Sequence, residues 1–264
     1  MIFQSPGDVI INIFGFPVYY YGVILALACV VGVLVSFHIF KKYNPDKDYN
    51  VIWDFASYII IFGILGARLY YCLLNASYYM NNPIEIFYIR QGGLSIHGGV
   101  TCGVLTLVYL AKKHNLPIWS LLDSFACGTA IAQTIGRWGN FFNSEAFGVP
   151  TDLPWKLFIP TTKRPLELID YNYFHPAFLY ESILDFIVFV ILILMIKKTH
   201  KKQPGIVFSS YLIFYSIIRI FTEYIRVDSA LNISEIPIAQ IISVLWIFFG
   251  LIILVSLWQK NKIT

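Results

Sequence analysis

Seven long apolar stretches constrain this chain more than any other feature. A helix that crosses the hydrocarbon core of a bilayer needs about 20 predominantly apolar residues. Stretches of this kind lie at residues 17–40, 51–74, 94–111, 117–138, 177–196, 204–225 and 237–258. In a chain of 264 residues, they leave no length for a separate soluble catalytic domain. We therefore predict an all-α integral membrane protein with seven transmembrane helices, organised as a single polytopic domain over residues 1–264.

The positions of the lysines predict the orientation of these helices. Of the 19 basic residues, 11 follow the first, third, fifth and seventh stretches, namely Lys41, Lys42, Lys47, Lys112, Lys113, Lys197, Lys198, Lys201, Lys202, Lys260 and Lys262. Because basic loops stay on the cytoplasmic side, we expect the N-terminus outside and the C-terminus in the cytoplasm. The first stretch lacks a basic n-region and a cleavage site, so it is predicted to be a retained helix. The long outer segment at about 139–175 is expected to form a small external cap.

Composition excludes several other classes of protein. The four cysteines all lie in apolar stretches, so a disulfide framework is not expected. No second histidine or cysteine stands at metal-ligand spacing, and neither a metal nor a cofactor is expected. No basic block interleaved with aromatic residues indicates a nucleic-acid partner.

Polar side chains gather at the outer ends of six predicted helices. They are Tyr21, Arg68, His97, Arg137, Glu181, and Arg219 with Glu223. Ionisable groups inside a membrane are energetically costly and mark functional sites or buried ion pairs. This pattern predicts a cavity open toward the outer leaflet, with an anionic lipid headgroup as its occupant. Asp54 and Asp123 lie near the inner ends instead, and we interpret them as interfacial or helix N-terminal charges.

Arg219, Glu223 and Arg226 follow i, i+4, i+7 spacing, which predicts an alternating charge ladder on one helix face. Two interpretations are open. The ladder is either a buried structural network of salt bridges, or a site in which Glu223 orients guanidinium groups toward phosphate oxygens.

The run GRWGNFFNSEAFG, from Gly136 to Gly148, is the best single pointer to a site. It places Arg137 beside hydrogen-bonding groups, Asn140, Asn143 and Glu145, where the fourth helix is predicted to leave the membrane. Its glycines permit the backbone to turn and approach a ligand. In GGLSIHGG, one histidine, His97, stands between glycine pairs. From the residue alone, a structural role for that histidine is favoured over catalysis.

Taken together, these motifs resemble those of the bacterial phosphatidylglycerol:prolipoprotein diacylglyceryl transferases. The residues that carry the resemblance are Tyr21 with Gly22, GARLYY from Gly66, GGLSIHGG from Gly92, GRWGNFFNSEAFG from Gly136, HPAFLYE from His175, and the charge ladder with Asp228. The resemblance implies an enzyme of the bacterial cytoplasmic membrane with its active site toward the outer leaflet. Such an enzyme transfers the diacylglyceryl group of phosphatidylglycerol to the lipobox cysteine of a preprolipoprotein, forming a thioether and releasing glycerol phosphate.

The resemblance also implies roles for individual residues. The expected catalytic residues are His97, Arg137 and Arg219, with His97 either the general base or a group that positions substrate. The expected substrate-binding residues are Arg137, Asn140, Glu145, Tyr21, Gly148, Glu223 and Arg226. The expected partners are phosphatidylglycerol, the lipobox of the preprolipoprotein signal peptide and membrane lipids.

Two other functional classes would use some of the same residues. A transporter or channel for an anionic solute would use the same arginines, but transporters often carry inverted repeats, and no such duplication is found. A lipid-binding protein without chemistry is the second alternative. The run from Gly136 to Gly148 argues against it.

Overall fold

The structure is a computed structural model that describes residues 3–89, 92–200, 203–227, 232–233 and 236–263. The side chains of residues 96–97, 232–233, 236 and 260–263 lie outside that description. The described residues are mostly helical, and their α-helices are α1 (Tyr20–Tyr43), α2 (Val51–Leu74), α3 (Ala76–Asn81), α4 (Ile96–Lys113), α5 (Ile118–Asn143), α6 (Ala177–Thr199), α7 (Ile206–Glu223) and α8 (Ile238–Ile263). Each of the seven apolar stretches coincides with one long helix.

Five helices, α1, α2, α6, α7 and α8, are long and apolar enough to cross a membrane. They make this a multi-pass membrane protein by length and composition. The third and fourth predicted spans coincide with α4 and α5, and their passage through the bilayer remains a prediction. The helical class predicted from the sequence is thus confirmed, and the count of seven spans is not yet tested.

Short strands accompany the helices, a feature that the sequence patterns did not indicate. The strands are β1 (Phe3–Gln4), β2 (Val9–Ile13), β3 (Phe16–Tyr19), β4 (Leu157–Phe158), β5 (Tyr173–Phe174), β6 (Asn232–Ile233) and β7 (Ile236–Pro237). β1, β4 and β5 form one sheet in that order, with β1 parallel and β5 antiparallel to β4. β2 pairs with β3, and β6 with β7. Strands of two to five residues are too short to give a recognisable alternation of polar and apolar residues.

The chain divides into two compact units. One comprises Met1–Ser36 and Leu122–Thr264, and the other comprises Phe37–Leu121. In the larger unit, the segment that follows α5 packs through a buried apolar cluster of Phe141, Ala146, Phe147, Leu157, Ile159, Phe174 and Phe178. This cluster joins the last turns of α5 to strands β4 and β5 and to the first turn of α6. This packing holds together the segments that carry the polar motifs of the larger unit.

In the smaller unit, α2 packs closely against α4. A methyl group at Gly66 would collide with Cys102 and with the carbonyl oxygen of Gly98, so both glycines are required by the close approach of the two backbones. Ser95 N–H, just before α4, donates to the Ala67 carbonyl at 3.0 Å. The start of α4 is therefore held against the end of α2.

Arg68, one of the polar groups noted in the sequence, is buried in this smaller unit. Its guanidinium donates to the backbone carbonyls of Glu85, Ile86, Gly92 and Gly93. The guanidinium carbon also lies 5.3 Å from the centre of the Tyr79 ring. These contacts use the donors of Arg68 to anchor the connection between α2 and α4. Its role is structural.

Asp123, interpreted above as a helix N-terminal charge, belongs to α5 but acts at the N-terminus of a second helix, α7. Its buried carboxylate, in α5, accepts hydrogen bonds from the backbone N–H groups of Gly205 and Phe208, both at 2.7 Å. Gly205 adopts a φ of 102°, a left-handed conformation that glycine tolerates at a sharp change of direction. Asp123 therefore caps α7 from outside that helix and satisfies two N–H groups that the helix itself leaves unpaired.

Replacing Asp123 by alanine is expected to destabilise the protein by about 2 kcal/mol, because two buried N–H groups lose their acceptor. The measurement is the free energy of unfolding in mixed micelles of dodecyl sulfate and a mild detergent. Asp123→Asn is the control, since its amide oxygen still accepts one of the two bonds and its loss should be smaller. Equal stability of all three proteins would show that water satisfies the helix end.

Candidate active site

A cluster of ion pairs lies around one buried carboxylate in the larger unit. Glu181, on α6, contacts three guanidinium groups. Its Oε2 lies 2.6 Å from Arg137 Nη1, and its Oε1 lies 3.3 Å from Arg219 Nη1 and 3.4 Å from Arg226 Nη1. Arg137 comes from α5, Arg219 from α7, and Arg226 from the segment after α7. One side chain thus gathers Arg137 from the run Gly136–Gly148 and the two arginines of the charge ladder.

Two further carboxylates complete this arginine cluster. Glu223 Oε2 lies 2.7 Å from Arg219 Nη2, one turn along α7, and Asp185 Oδ2 lies 3.6 Å from Arg137 Nε. The cluster therefore pairs three arginines with three acidic residues, so its formal charges balance. A balanced set of charges is what makes such a group tolerable inside a membrane protein.

The charges of the cluster are nevertheless not equally buried. The carboxylate side chains are 1–3% exposed, whereas those of the arginines are 13–18% exposed. The acidic groups are thus the more deeply buried part of the cluster, and the arginine side chains have the larger exposed fraction.

Arg137 is the arginine best placed to bind a ligand. Its Nη1 and Nε edges face Glu181 and Asp185, and within the described part of the chain its Nη2 contacts no acceptor. A guanidinium presents its N–H donors in a fixed planar fork, so the two acids also determine where the Nη2 donors point. The arrangement can hold an anionic oxygen atom without breaking either ion pair.

The charge ladder predicted on one helix face is only partly correct. Arg219 and Glu223 form the expected i, i+4 salt bridge within α7. However, α7 ends at Glu223, and Arg226 lies three residues beyond it in a turn in which Arg226 N–H donates to the Thr222 carbonyl at 3.0 Å. Arg226 reaches the cluster through Glu181 on α6 rather than as the next step of a continuous helix.

The run from Gly136 to Gly148 also departs from its predicted conformation. The α5 helix continues to Asn143, five residues beyond the predicted end of the fourth span. The turns that follow use positive φ angles at Ser144 and Ala146, 53° and 54°, rather than at glycines. Glu145 N–H donates to the Asn140 carbonyl at 3.0 Å, and the Asn140 side-chain amide donates to Glu145 Oε1 at 2.8 Å. This reciprocal pair closes the end of α5 and orients the Glu145 carboxylate.

Backbone hydrogen bonds then join three separate segments around the cluster. The segment 146–149 pairs on one side with the start of α6 and on the other with the residues after α7. The bonds are Gly148 N to His175 O at 2.8 Å, His175 N to Val149 O at 3.0 Å, Phe178 N to Ala146 O at 2.9 Å, Val149 N to Ile225 O at 2.9 Å and Val227 N to Phe147 O at 3.4 Å. These segments lead into Glu181 and out of Arg219, so the pairing fixes the geometry of the cluster.

Tyr21, in the first turn of α1, packs against α5 at Gly139. A methyl group at Gly139 would lie 2.8 Å from Tyr21 Cδ2, so the glycine is what permits the ring to approach. The structure therefore brings Tyr21 together with the same end of α5 that carries Asn140.

His97 belongs to the first turn of α4, but its side chain lies outside the described residues, as does all of Asp228. Within the residues that are described, no group of three or more histidine, cysteine, aspartate or glutamate side chains is arranged to hold a metal ion.

Glu181 and Asp185 are not among the site residues predicted from the sequence, although both are central to the cluster. Glu181 was noted only as a polar residue that opens the fifth span, and as part of HPAFLYE. Asp185 follows it by four residues, on the same face of α6. An acidic pair at i, i+4 inside an apolar stretch was the available signal, because such carboxylates require basic partners.

Replacing Gly148 by alanine is expected to destabilise the protein by about 1–3 kcal/mol through overpacking. The added methyl would lie 2.7 Å from Ile225 Cγ2 and 2.9 Å from His175 Cβ, between the segments that the backbone pairing holds together. The measurement is the midpoint of thermal unfolding in detergent.

Gly136→Ala is the matched control for this prediction. Gly136 is helical and has no neighbouring atom within 4 Å of the added carbon, so alanine there should leave stability unchanged or raise it. If both variants unfold at the wild-type temperature, the segments around Gly148 move apart easily, and their pairing does not determine the shape of the cluster.

Comparison with known proteins agrees with the motifs that form this site. A family model described as prolipoprotein diacylglyceryl transferase matches residues 8–256. Proteins named phosphatidylglycerol--prolipoprotein diacylglyceryl transferase are similar along nearly the whole chain. That of Nostoc sp. is 41% identical, covering 99% of this chain and 93% of the relative. That of Synechococcus elongatus is 41% identical over 98% and 90%, and that of Synechocystis sp. is 40% identical over 98% and 93%. The chain belongs to the prolipoprotein diacylglyceryl transferase family.

Proposed function

We propose that this protein transfers the diacylglyceryl group of phosphatidylglycerol to the thiol of the lipobox cysteine of a preprolipoprotein, the first step of bacterial lipoprotein maturation. The observation that carries the proposal for the site is the arginine cluster. It pairs three arginines with more deeply buried carboxylates, and Arg137 keeps its Nη2 group without an acceptor among the described residues. The relatives of this chain are named for the same two substrates, phosphatidylglycerol and prolipoprotein.

The reaction breaks one bond and forms one bond. The thiolate sulfur attacks the carbon of the diacylglyceryl group that is esterified to the phosphate, and a carbon–sulfur bond forms. The bond from that carbon to the phosphate oxygen breaks with its electron pair on oxygen, and glycerol phosphate leaves. The proton of the thiol passes to a base. Because negative charge grows on the departing phosphate, positioned guanidinium groups stabilise the transition state more than the bound substrate.

The residues have different roles in this proposal. Arg137 and Arg219 stabilise the phosphate charge as catalytic residues, and Arg226 extends the same surface for binding. Glu181, Glu223 and Asp185 are positioning residues that act through the arginines they contact. Tyr21, Asn140, Glu145 and Gly148 shape the end of α5, against which we expect the headgroup and the lipobox to lie.

His97 is the proposed general base. A cysteine thiol has an ordinary pKa of about 8.5 and reacts as the thiolate, so a neutral imidazole close to it raises the reactive fraction. His97→Gln is expected to slow transfer by about 10²–10⁴-fold, the usual contribution of a general base. Initial rates over a range of pH test this. A near-normal rate with an unchanged pH profile would leave His97 no part in proton transfer.

The proposed topology follows the predicted orientation. We infer seven spans in a single membrane domain, with α4 and α5 as the third and fourth, the N-terminus outside and the C-terminus in the cytoplasm. Residues 139–175 then lie at the outer face of the cytoplasmic membrane, at the same level as the arginine cluster.

Mass spectrometry of a lipobox peptide incubated with the purified protein in phosphatidylglycerol vesicles tests the reaction directly. We expect a mass gain of one diacylglyceryl group on the cysteine, and none on a Cys→Ser peptide or in vesicles of phosphatidylethanolamine alone. If well-folded protein gives no gain with a peptide that a known transferase modifies, the proposal fails. A transporter would instead build a gradient of solute without consuming phosphatidylglycerol.

A further inference from the structure

A β-hairpin precedes the first membrane helix and leaves its apolar side chains uncovered. β2 and β3 pair antiparallel, with Ile13 opposite Phe16 and Ile11 opposite Val18. The turn lies at Phe14 and Gly15, with φ angles of 49° and 85°. β3 ends at Tyr19, and α1 begins at the next residue. Tyr20 N–H donates to the Asp8 carbonyl at 2.9 Å, which closes the base of the hairpin.

The pairing register gives the hairpin one wholly apolar face. Because directly opposed residues lie on the same side of a sheet, that face carries Ile11, Ile13, Phe16 and Val18. Asn12 and Pro17 lie opposite each other on the other face. All residues from 10 to 17 are exposed, and Phe14 at the tip is 96% exposed. Among the described residues, no other large apolar side chain is exposed to this extent. Contiguous apolar surface of this kind marks an interaction site.

The charges and the connection of the hairpin indicate lipid as the partner. Residues 9–40 contain no Asp, Glu, Lys or Arg, so the absence of charge extends from the hairpin through nearly all of α1. α1 is itself a candidate membrane span, and its own exposed apolar residues, such as Leu27 and Val30, require a lipid environment. Protein-binding surfaces usually carry a polar rim around an apolar centre, and this hairpin has no charged residue to form one.

Aromatic residues mark the junction between the hairpin and the helix. Tyr19, Tyr20 and Tyr21 follow one another where β3 becomes α1. Tyrosine is enriched at the boundary between lipid headgroups and acyl chains, where the ring is buried and the hydroxyl stays hydrated. The hairpin therefore starts at the depth of the membrane interface.

We propose that the hairpin of β2 and β3 is an interfacial membrane anchor. Its apolar face and Phe14 are immersed in the leaflet in which α1 begins, and the face with Asn12 and Pro17 is turned toward the headgroups. Interfacial elements of this type lie about 5–10 Å into the boundary between headgroups and acyl chains. Since β3 continues into α1, the anchor also fixes the depth of Tyr21 beside the proposed catalytic residues. The proposal concerns membrane contact and does not depend on the reaction assigned above.

Nitroxide labels at single cysteines in phospholipid vesicles test this anchor. The native residues Cys29, Cys72, Cys102 and Cys127 are first replaced by serine. Phe14→Cys is then compared with two controls, Leu27→Cys on the exposed surface of α1 and Leu166→Cys, an 87% exposed position in the segment between α5 and α6. We expect the Phe14 label to collide readily with oxygen and poorly with a water-soluble nickel complex, as at Leu27. The label at Leu166 should show the reverse.

Three outcomes overturn the proposal. Nickel accessibility at Phe14 equal to that at Leu166 would place the hairpin in water. Protection from both reagents would place it against protein, such as a second copy of the chain. If the Phe14 label reports an apolar environment only after a signal peptide is added, that peptide is the partner.

A second measurement keeps the test valid if the serine-substituted protein does not fold. Phe14→Cys and Leu166→Cys are made with the native cysteines retained, because these are buried or half-buried within helices. A membrane-impermeant maleimide should then label Phe14→Cys slower than Leu166→Cys by about an order of magnitude in vesicles, since lipid excludes the reagent. Dissolving the vesicles in dodecyl sulfate should remove the difference. Equal rates before solubilisation would contradict the anchor.

Discussion

Replacing Arg137 by glutamine is expected to slow diacylglyceryl transfer by about 10²–10³-fold, the usual loss when one donor to a developing negative charge is removed. Glutamine cannot carry the positive charge that Arg137 holds toward the departing phosphate. It also leaves Glu181 Oε2, now 2.6 Å from a guanidinium nitrogen, without that cation. The measurement is the initial rate of lipobox-peptide modification in phosphatidylglycerol vesicles, with the product detected by mass spectrometry.

Two control variants separate the role of Arg137 from a general loss of positive charge and from the loss of its planar guanidinium group. Lys156→Gln also removes one positive charge, but Lys156 pairs at 3.2 Å with the fully exposed Asp152, so the wild-type rate is expected. Arg137→Lys keeps the charge and loses the planar fork, and an intermediate rate is expected. If Arg137→Gln folds and retains the rate of Lys156→Gln, Arg137 does not contact the reacting phosphate.

Much of the helical architecture could be predicted from the sequence because hydrophobic length is a direct requirement of the membrane. The seven stretches coincide with seven long helices, and five of these helices are long and apolar enough to cross a membrane. The hairpin before α1 escaped prediction because its strands, Val9–Ile13 and Phe16–Tyr19, are too short to show a recognisable alternation of polar and apolar residues.

The arginine cluster could be predicted only in part. Sequence spacing correctly paired Arg219 with Glu223, because residues at i and i+4 are neighbours within one helix. The contacts of Glu181 with Arg137, Arg219 and Arg226 join residues 38 to 45 positions apart. They depend on how α5, α6 and the end of α7 are held together, and no local pattern encodes that packing. A charge inside a span indicates that a partner exists, but not which residue it is.

Replacing Glu181 by glutamine is expected to destabilise the protein by about 3–5 kcal/mol, the usual effect of removing one member of a buried ion-pair group. Glutamine preserves the size of the side chain but leaves three guanidinium groups without their shared anion. The measurement is the free energy of unfolding in mixed micelles. Asp185→Asn is the matched control on the same helix, and its effect should be smaller because Asp185 contacts one arginine at 3.6 Å.

The Glu181→Gln variant also tests whether the arginine cluster binds anions. If the guanidinium groups face a phosphate site, glycerol phosphate should restore part of the stability lost in this variant, because the bound anion replaces the missing carboxylate charge. The same concentration should stabilise the wild-type protein less, since there Glu181 already balances the arginines. Inorganic sulfate and chloride at equal ionic strength separate binding from screening. Recovery with chloride alone would mean that only repulsion was relieved, and the cluster would then be structural rather than a phosphate site.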